Sequence, residues 1–146
     1  MNILRIARSA YEELRAHGVE TYPQECCGVL LGRSGPEGWT VERAVRAENT
    51  RIDSPRNRYE IAPAELVKIV REASYRGLEI AGFYHSHPDH AANWSETDLA
   101  EAHWLGCSYV IAEVAAGRAA ATNAFLLCGE LEEDKRFERQ TIEVRG

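Results

Sequence analysis

Two imidazoles stand two residues apart in Phe83-Tyr84-His85-Ser86-His87-Pro88, and Ser95-Glu96-Thr97-Asp98 begins seven residues after the proline. Ahead of them, Leu78 to Tyr84 alternates and then runs apolar and aromatic, the pattern of a buried strand. Side chains at i and i+2 of a strand share a face, so His85 and His87 project together while Ser86 points away. Pro88 removes a ladder donor and ends the strand. Paired imidazoles begin a zinc site, because zinc takes nitrogen ligands at about 2.0–2.1 Å and a catalytic zinc has three protein ligands and a water. Asp98, at the start of the next helix, is the candidate third ligand. Ser95-x-x-Asp98 also fits a capping box, in which the serine caps the helix and the acid answers at its third position. The two roles are compatible.

Glu25 follows Pro23 and precedes an apolar run. It reads either as a solvated strand-end carboxylate or as a general base. A metal lowers the pKa of its water to about 7, and a carboxylate within hydrogen-bond reach can take that proton. His90 and His103 lack matching partners and read as solvated, and His17 reads as a residue at a helix C-terminus. The bland reading of Cys26 and Cys27 is as buried thiols, since neighbours on a strand face opposite ways and at most one can look into the site.

These residues need elements to hold them. Ile6, Ala10, Leu14 and His17 recur at helical spacing, and Gly18 is a natural stop. Cys26 to Leu31 is a continuous apolar run, a central strand closed by Gly32. Ser34 to Gly38 is turn chemistry, and Trp39 to Ala47 is the hairpin partner. A polar loop, Glu48 to Arg58, carries Arg51, Arg56 and Arg58, and Tyr59-Glu60-Ile61 reads as a short strand. Pro63 opens a second helix ending near Gly77. A third runs from Ser95 to Gly106. Ser108 to Ala112 and Ala120 to Leu127 are strands, with a final pair ending near Val144. Three helices with six to eight strands give an α/β sandwich with a mixed, largely antiparallel sheet.

The 146 residues suffice for one domain, 1–146, with its own core. A net charge of −6 without a basic stripe argues against nucleic acid. No run approaches a membrane span and no signal peptide is evident, so the four cysteines are expected to be reduced thiols of a cytoplasmic protein.

Glu25, His85-Ser86-His87-Pro88, Ala92, Ser95 and Asp98 together resemble the JAMM (JAB1/MPN/Mov34) metalloprotease motif, E…HxHPx(6)SxxD. Tyr22-Pro23-Gln24-Glu25-Cys26-Cys27-Gly28-Val29-Leu30-Leu31-Gly32 is similar to the bacterial branch, whose members are associated with ubiquitin-like sulfur-carrier proteins. The resemblance implies a JAB1/MPN-like (cytidine-deaminase-like) α/β/α sandwich. It implies one zinc held by His85, His87 and Asp98, with Glu25 activating the water in the fourth position. Ser95 would donate to the oxyanion. The implied activity is hydrolysis of the amide bond after a carrier's C-terminal Gly-Gly, with a peptide or an amino acid such as cysteine released. Many relatives have proline just before the serine; here Asn93-Trp94 stands there, and Trp94 would shape the substrate mouth or pack under the loop. Arg51, Arg56 and Arg58 fall where relatives shape the tail-binding groove and are candidates to meet an acidic partner. An extended small-residue tail would bind by strand addition.

Two other readings use the same residues. Relatives lacking metal ligands act as binding modules, whereas this chain keeps each ligand position, the base and the serine. His85-x-His87-x-Asp89-His90 also matches the HxHxDH signature of metallo-β-lactamase-like hydrolases, but that fold needs downstream histidines and only His103 remains. A deaminase-type site is disfavoured because no PCxxC follows.

Overall fold

The strand bearing the two histidines is the inner rail of the sheet. In the computed structural model, which describes residues 3–51 and 59–146, the order is β1 (Ile3–Ala7), α1 (Arg8–Thr21), β2 (Cys27–Gly35), β3 (Gly38–Ala47), α2 (Pro63–Tyr75), β4 (Glu79–Pro88), α3 (Glu96–Glu101), β5 (Ser108–Ala115), β6 (Arg118–Cys128) and β7 (Arg136–Arg145). β4 lies between antiparallel β2 and parallel β5. The sheet runs β1-β3-β2-β4-β5-β6-β7 and closes on itself, because β1 pairs in parallel with both β3 and β7. The expected α/β fold with three helices and a mixed sheet is what forms, and its two ends meet through β1.

β4 sorts its side chains onto two faces. Ala81 and Tyr84 join Leu4, Ile6, Ala10, Leu14 and Leu30 in a core under α1. Ile80 and Phe83 join Val29, Ile69, Ala73 and Tyr109 in a second core under α2. Alternation beyond Phe83 carries His85 and His87 onto the second face and Ser86 onto the first. Two glycines admit this packing. Gly28 pairs with Tyr84 and lies beneath its ring, and Gly82 lies against the Ser108 backbone, so a Cβ at either would collide.

Four elements differ from the sequence expectation. Leu4 and Ile6 belong to β1, so the first helix starts at Arg8 rather than Ile6. His17 is buried within α1, which runs on to Thr21, and its Nδ1 lies 2.7 Å from the Tyr84 hydroxyl, so it is not the C-terminal residue of the helix. α3 stops at Glu101, because Lys135 donates to the carbonyls of Ala100 and Ala102 at 3.1 and 2.8 Å, taking acceptors that another turn would use. Tyr59-Glu60-Ile61 is not a strand. The final strand pair is one strand, β7, preceded by a 3-10 turn at Glu132–Asp134 in which Asp134 accepts from Leu131 N at 2.7 Å.

Candidate active site

The imidazoles of His85 and His87 emerge at the end of β4 with ring centroids 5.1 Å apart, and both side chains are almost fully buried. α3 opens directly opposite. Ser95 Oγ accepts from Asp98 N at 3.1 Å, and Asp98 Oδ2 accepts from Ser95 N at 2.9 Å, the reciprocal capping box that the spacing suggested. That box turns the Asp98 carboxylate to the histidines: Oδ1 lies 3.2 Å from His85 Nε2 and Oδ2 3.2 Å from His87 Nε2. One ligating atom from each of the three lies within 4.8 Å of the others.

Although its ring is buried, His85 makes no well-formed hydrogen bond among the described residues: Nδ1 has no partner there, and Nε2 meets Asp98 Oδ1 at 3.2 Å only as a close polar contact. Orphaned buried polar atoms are costly unless something satisfies them. His87 Nδ1 lies 2.8 Å from the Ala91 carbonyl, which can only accept, so Nδ1 donates there and Nε2 is the ring nitrogen aimed at Asp98. Two nitrogens and a carboxylate around one point are the donor set and count that protein side chains give a catalytic zinc. The residues therefore fit the ion that the motif implies.

The electrostatics agree. Burial pushes the Asp98 carboxyl up, but the two imidazole edges and the Ser95 amide hold it well below the usual carboxylate range. Burial lowers the pKa of His85, favouring the neutral ring that a metal needs. Glu25 precedes β2, is 3 % exposed, and its Oε2 has no hydrogen-bond partner among the described residues. Burial, then the nearby Asp98 and Glu101 carboxylates, push its pKa from 4.5 up to about 9. A cation between the histidines would relieve that stress and let Glu25 ionise.

Ser86 fastens the Glu25 segment to the histidine strand. Its buried Oγ accepts from Cys26 N at 2.8 Å, while Ser86 N donates to Cys26 O at 3.2 Å. Asp89, in the left-handed region at φ 59°, accepts from the Tyr22 hydroxyl at 2.6 Å and from Ala116 N at 2.8 Å. Of the adjacent thiols, Cys27 pairs with His85 across the ladder and shares its face, and Cys26 packs into the α1 core. Burial pushes the Cys26 thiol up to about 11 and raises Cys27 further, so both are held as thiols at neutral pH.

Three neighbours lie outside the E…HxHPx(6)SxxD motif. The Tyr59 ring stacks on His85 with centroids 4.7 Å apart, and His90 stacks on His87 at 4.4 Å. Glu101, one turn beyond Asp98, adds negative charge near Glu25. Helical spacing from Asp98 could have flagged Glu101; only tertiary structure brings in Tyr59. Beside Tyr59 lies a cavity of about 320 Å³ walled by Arg51, Ile61, Phe83, Trp104 and Tyr109. Trp94 is 37 % exposed and packs against Phe137 at 5.6 Å rather than lining that cavity. Arg56 and Arg58 lie outside the described residues. His103 is paired with Glu132 at 2.9 Å and lines the cavity beside Tyr59.

The chain is similar to several known proteins. The chain is 37% identical over 112 residues to the desampylase of Haloferax volcanii, covering 74% of this chain and 78% of that protein. It is 34% identical over 102 residues to a probable TtuB-protein conjugate cleaving protease of Thermus thermophilus, covering 70% of this chain and 65% of that one. The solution structure of a Desulfitobacterium hafniense protein superposes with a TM-score of 0.82 at 26% identity, over 98% of this chain and 92% of that chain. A JAB1/MPN domain protein from Archaeoglobus fulgidus shares the fold, with a TM-score of 0.58 at 16% identity over 96% of this chain and 97% of that one. The family of prokaryotic homologs of the JAB domain matches residues 7–127, and the chain belongs to it.

Proposed function

We propose that the chain is a zinc-dependent peptidase or isopeptidase that hydrolyses the amide bond after the C-terminal Gly-Gly of a ubiquitin-like or sulfur-carrier protein, acting as one domain in the cytoplasm. The observation that carries this reading is the His85, His87 and Asp98 cluster, with both histidines buried and His85 without a well-formed hydrogen bond, and the buried carboxylate of Glu25 nearby. The two relatives, a desampylase and a probable conjugate cleaving protease, support the substrate class.

His85 and His87 would hold the ion through nitrogen and Asp98 through a carboxylate oxygen. When bound, zinc supplies Lewis acidity that polarises a carbonyl and acidifies water. Glu25 takes the proton of the attacking water and passes it to the leaving amine, so no covalent enzyme intermediate is needed. Ser95 already accepts from Asp98 N, and its own hydrogen can be donated to the developing oxyanion. Ser95 thus caps and catalyses with different parts of one hydroxyl.

The cavity beside Tyr59 supports a route for the carrier tail, with Arg51 at its wall and Arg56 and Arg58 in the same chain segment. Each strand of the closed sheet already has two neighbours, so an extended tail would pair with non-strand backbone beside that cavity rather than add to the sheet. Trp94 remains a second candidate for shaping the mouth.

The test is metal analysis with cleavage of a carrier conjugate ending in Gly-Gly-X. About one zinc per chain and cleavage that a chelator abolishes are expected. A metal-free protein that binds the carrier equally well without cleaving it would make the chain a binding module instead.

A further inference from the structure

The main-chain carbonyl of Glu25 leads to a residue outside the motif. β3 ends at Ala47, whose ladder partner is Cys27, so the chain that follows runs beside Glu25. There Asn49 Nδ2 donates to Glu25 O at 3.1 Å. Its Oδ1 accepts from two amides, Arg51 N at 3.0 Å and Glu60 N at 3.1 Å. Thr50 secures the other side of Glu60, its N and Oγ both donating to Glu60 O at 2.9 and 3.0 Å. Glu60 is thereby fixed through both of its backbone groups, and Tyr59, immediately before it, lays its ring on His85.

We propose that Asn49 is a positioning residue whose one carboxamide ties the Glu25 backbone to the segment carrying Tyr59, so that the carboxylate and the ring against His85 are set together. A planar amide offers a donor and a two-lone-pair acceptor in fixed relation, and this site uses both. Aspartate at this position keeps the acceptor, loses the donor, and turns a negative oxygen toward the Glu25 carbonyl. Small displacements of a reacting group are costly, since 1 Å of misplacement can lower a rate by about 10²-fold.

The catalytic half of this assignment rests on reading Glu25 as the base, and the experiment separates the two. Asn49→Asp is compared with wild type, and Thr50→Val serves as a control that loosens Glu60 without touching Glu25. In the metal-free full chain, carbon-13 labels report the Glu25 carboxyl and the Tyr59 ring. In the zinc-loaded protein, kcat and KM are measured on a Gly-Gly carrier conjugate. Asn49→Asp is expected to move both labels and lower kcat on the order of 10²-fold, with KM and zinc content unchanged. Thr50→Val is expected to leave the Glu25 label in place and kcat within about twofold. If Asn49→Asp does not fold, the smaller, uncharged Asn49→Ser gives the same comparison. An unmoved Glu25 label, or an equal loss of kcat in Thr50→Val, overturns the proposal. Absence of cleavage by the wild type would overturn Glu25 as the base, while the metal-free labels still decide whether Asn49 sets the two side chains.

Discussion

Glu25 is the residue whose surroundings make the sharpest demand. Its pKa is about 9 in the folded metal-free protein against 4.5 as the ordinary value, so the native state keeps a proton that the unfolded chain releases. Stability is therefore fullest below pH 4.5 and falls as pH rises toward 9, by up to about 1.4 kcal/mol per pH unit from this group. Urea unfolding of metal-free wild type and Glu25→Gln at pH 5 and pH 8 should show the slope in the first and its loss in the second. Equal slopes would mean that Glu25 ionises freely in the fold. The same substitution should keep zinc and abolish turnover. Asp98→Asn should strip zinc from the purified protein, and unchanged zinc content would leave Asp98 only its capping duty. Ser95→Ala should cost about 0.5–2 kcal/mol through the lost cap, and lower kcat by about 10²–10³-fold. A normal rate would remove its hydroxyl from the reaction. The histidine pair and Asp98 could be placed side by side from a strand's period of two and a helix's first turn, whereas Glu25 and Ser95 drew their roles from the resemblance. Tyr59 and Asn49 were not legible, since they reach the site through loop backbone that no spacing rule marks.

Among the elements, β4 carries the burden. Its histidine face is usable only because its other face locks into β5 and α1. Gly82→Ala would drive a methyl into the Ser108 backbone, the residue it pairs with, at about 3 kcal/mol or more. Loss of both folded protein and bound zinc is expected, read by circular dichroism and metal analysis. Ser86→Ala leaves the Cys26 amide without its acceptor in a buried place, which should cost about 1–3 kcal/mol. The strand itself was plain in the sequence, as were β2, β3 and α2, because apolar runs bounded by glycine and proline have few alternatives. β1 was hidden: Ile6 belongs equally well to a helical stripe with Ala10 and Leu14, and only the pairing with β3 and β7 decides against it. The third helix was read too long for a similar reason, as the lysine that ends it comes from residue 135.

On the scale of the whole molecule, β7 and nearly all of β1 lie outside the 7–127 span that defines the family match, yet they complete the sheet. Leu4, fully buried in β1, should therefore matter to stability and not to chemistry. Leu4→Ala is expected to cost about 2–5 kcal/mol while zinc content and kcat stay at wild-type values. Loss of zinc in the folded variant would tie the closing strand to the site. The overall class was legible from alternating helices and strands, but closure was not, since nothing in a local pattern says which outer strands will meet. The way they meet has a mechanical consequence. β1 and β7 run the same way, matched from Ile3 with Thr141 to Ala7 with Arg145. A pull that draws Ile3 and Arg145 apart would load that seam lengthwise, so its hydrogen bonds must slide together instead of opening singly like a zip.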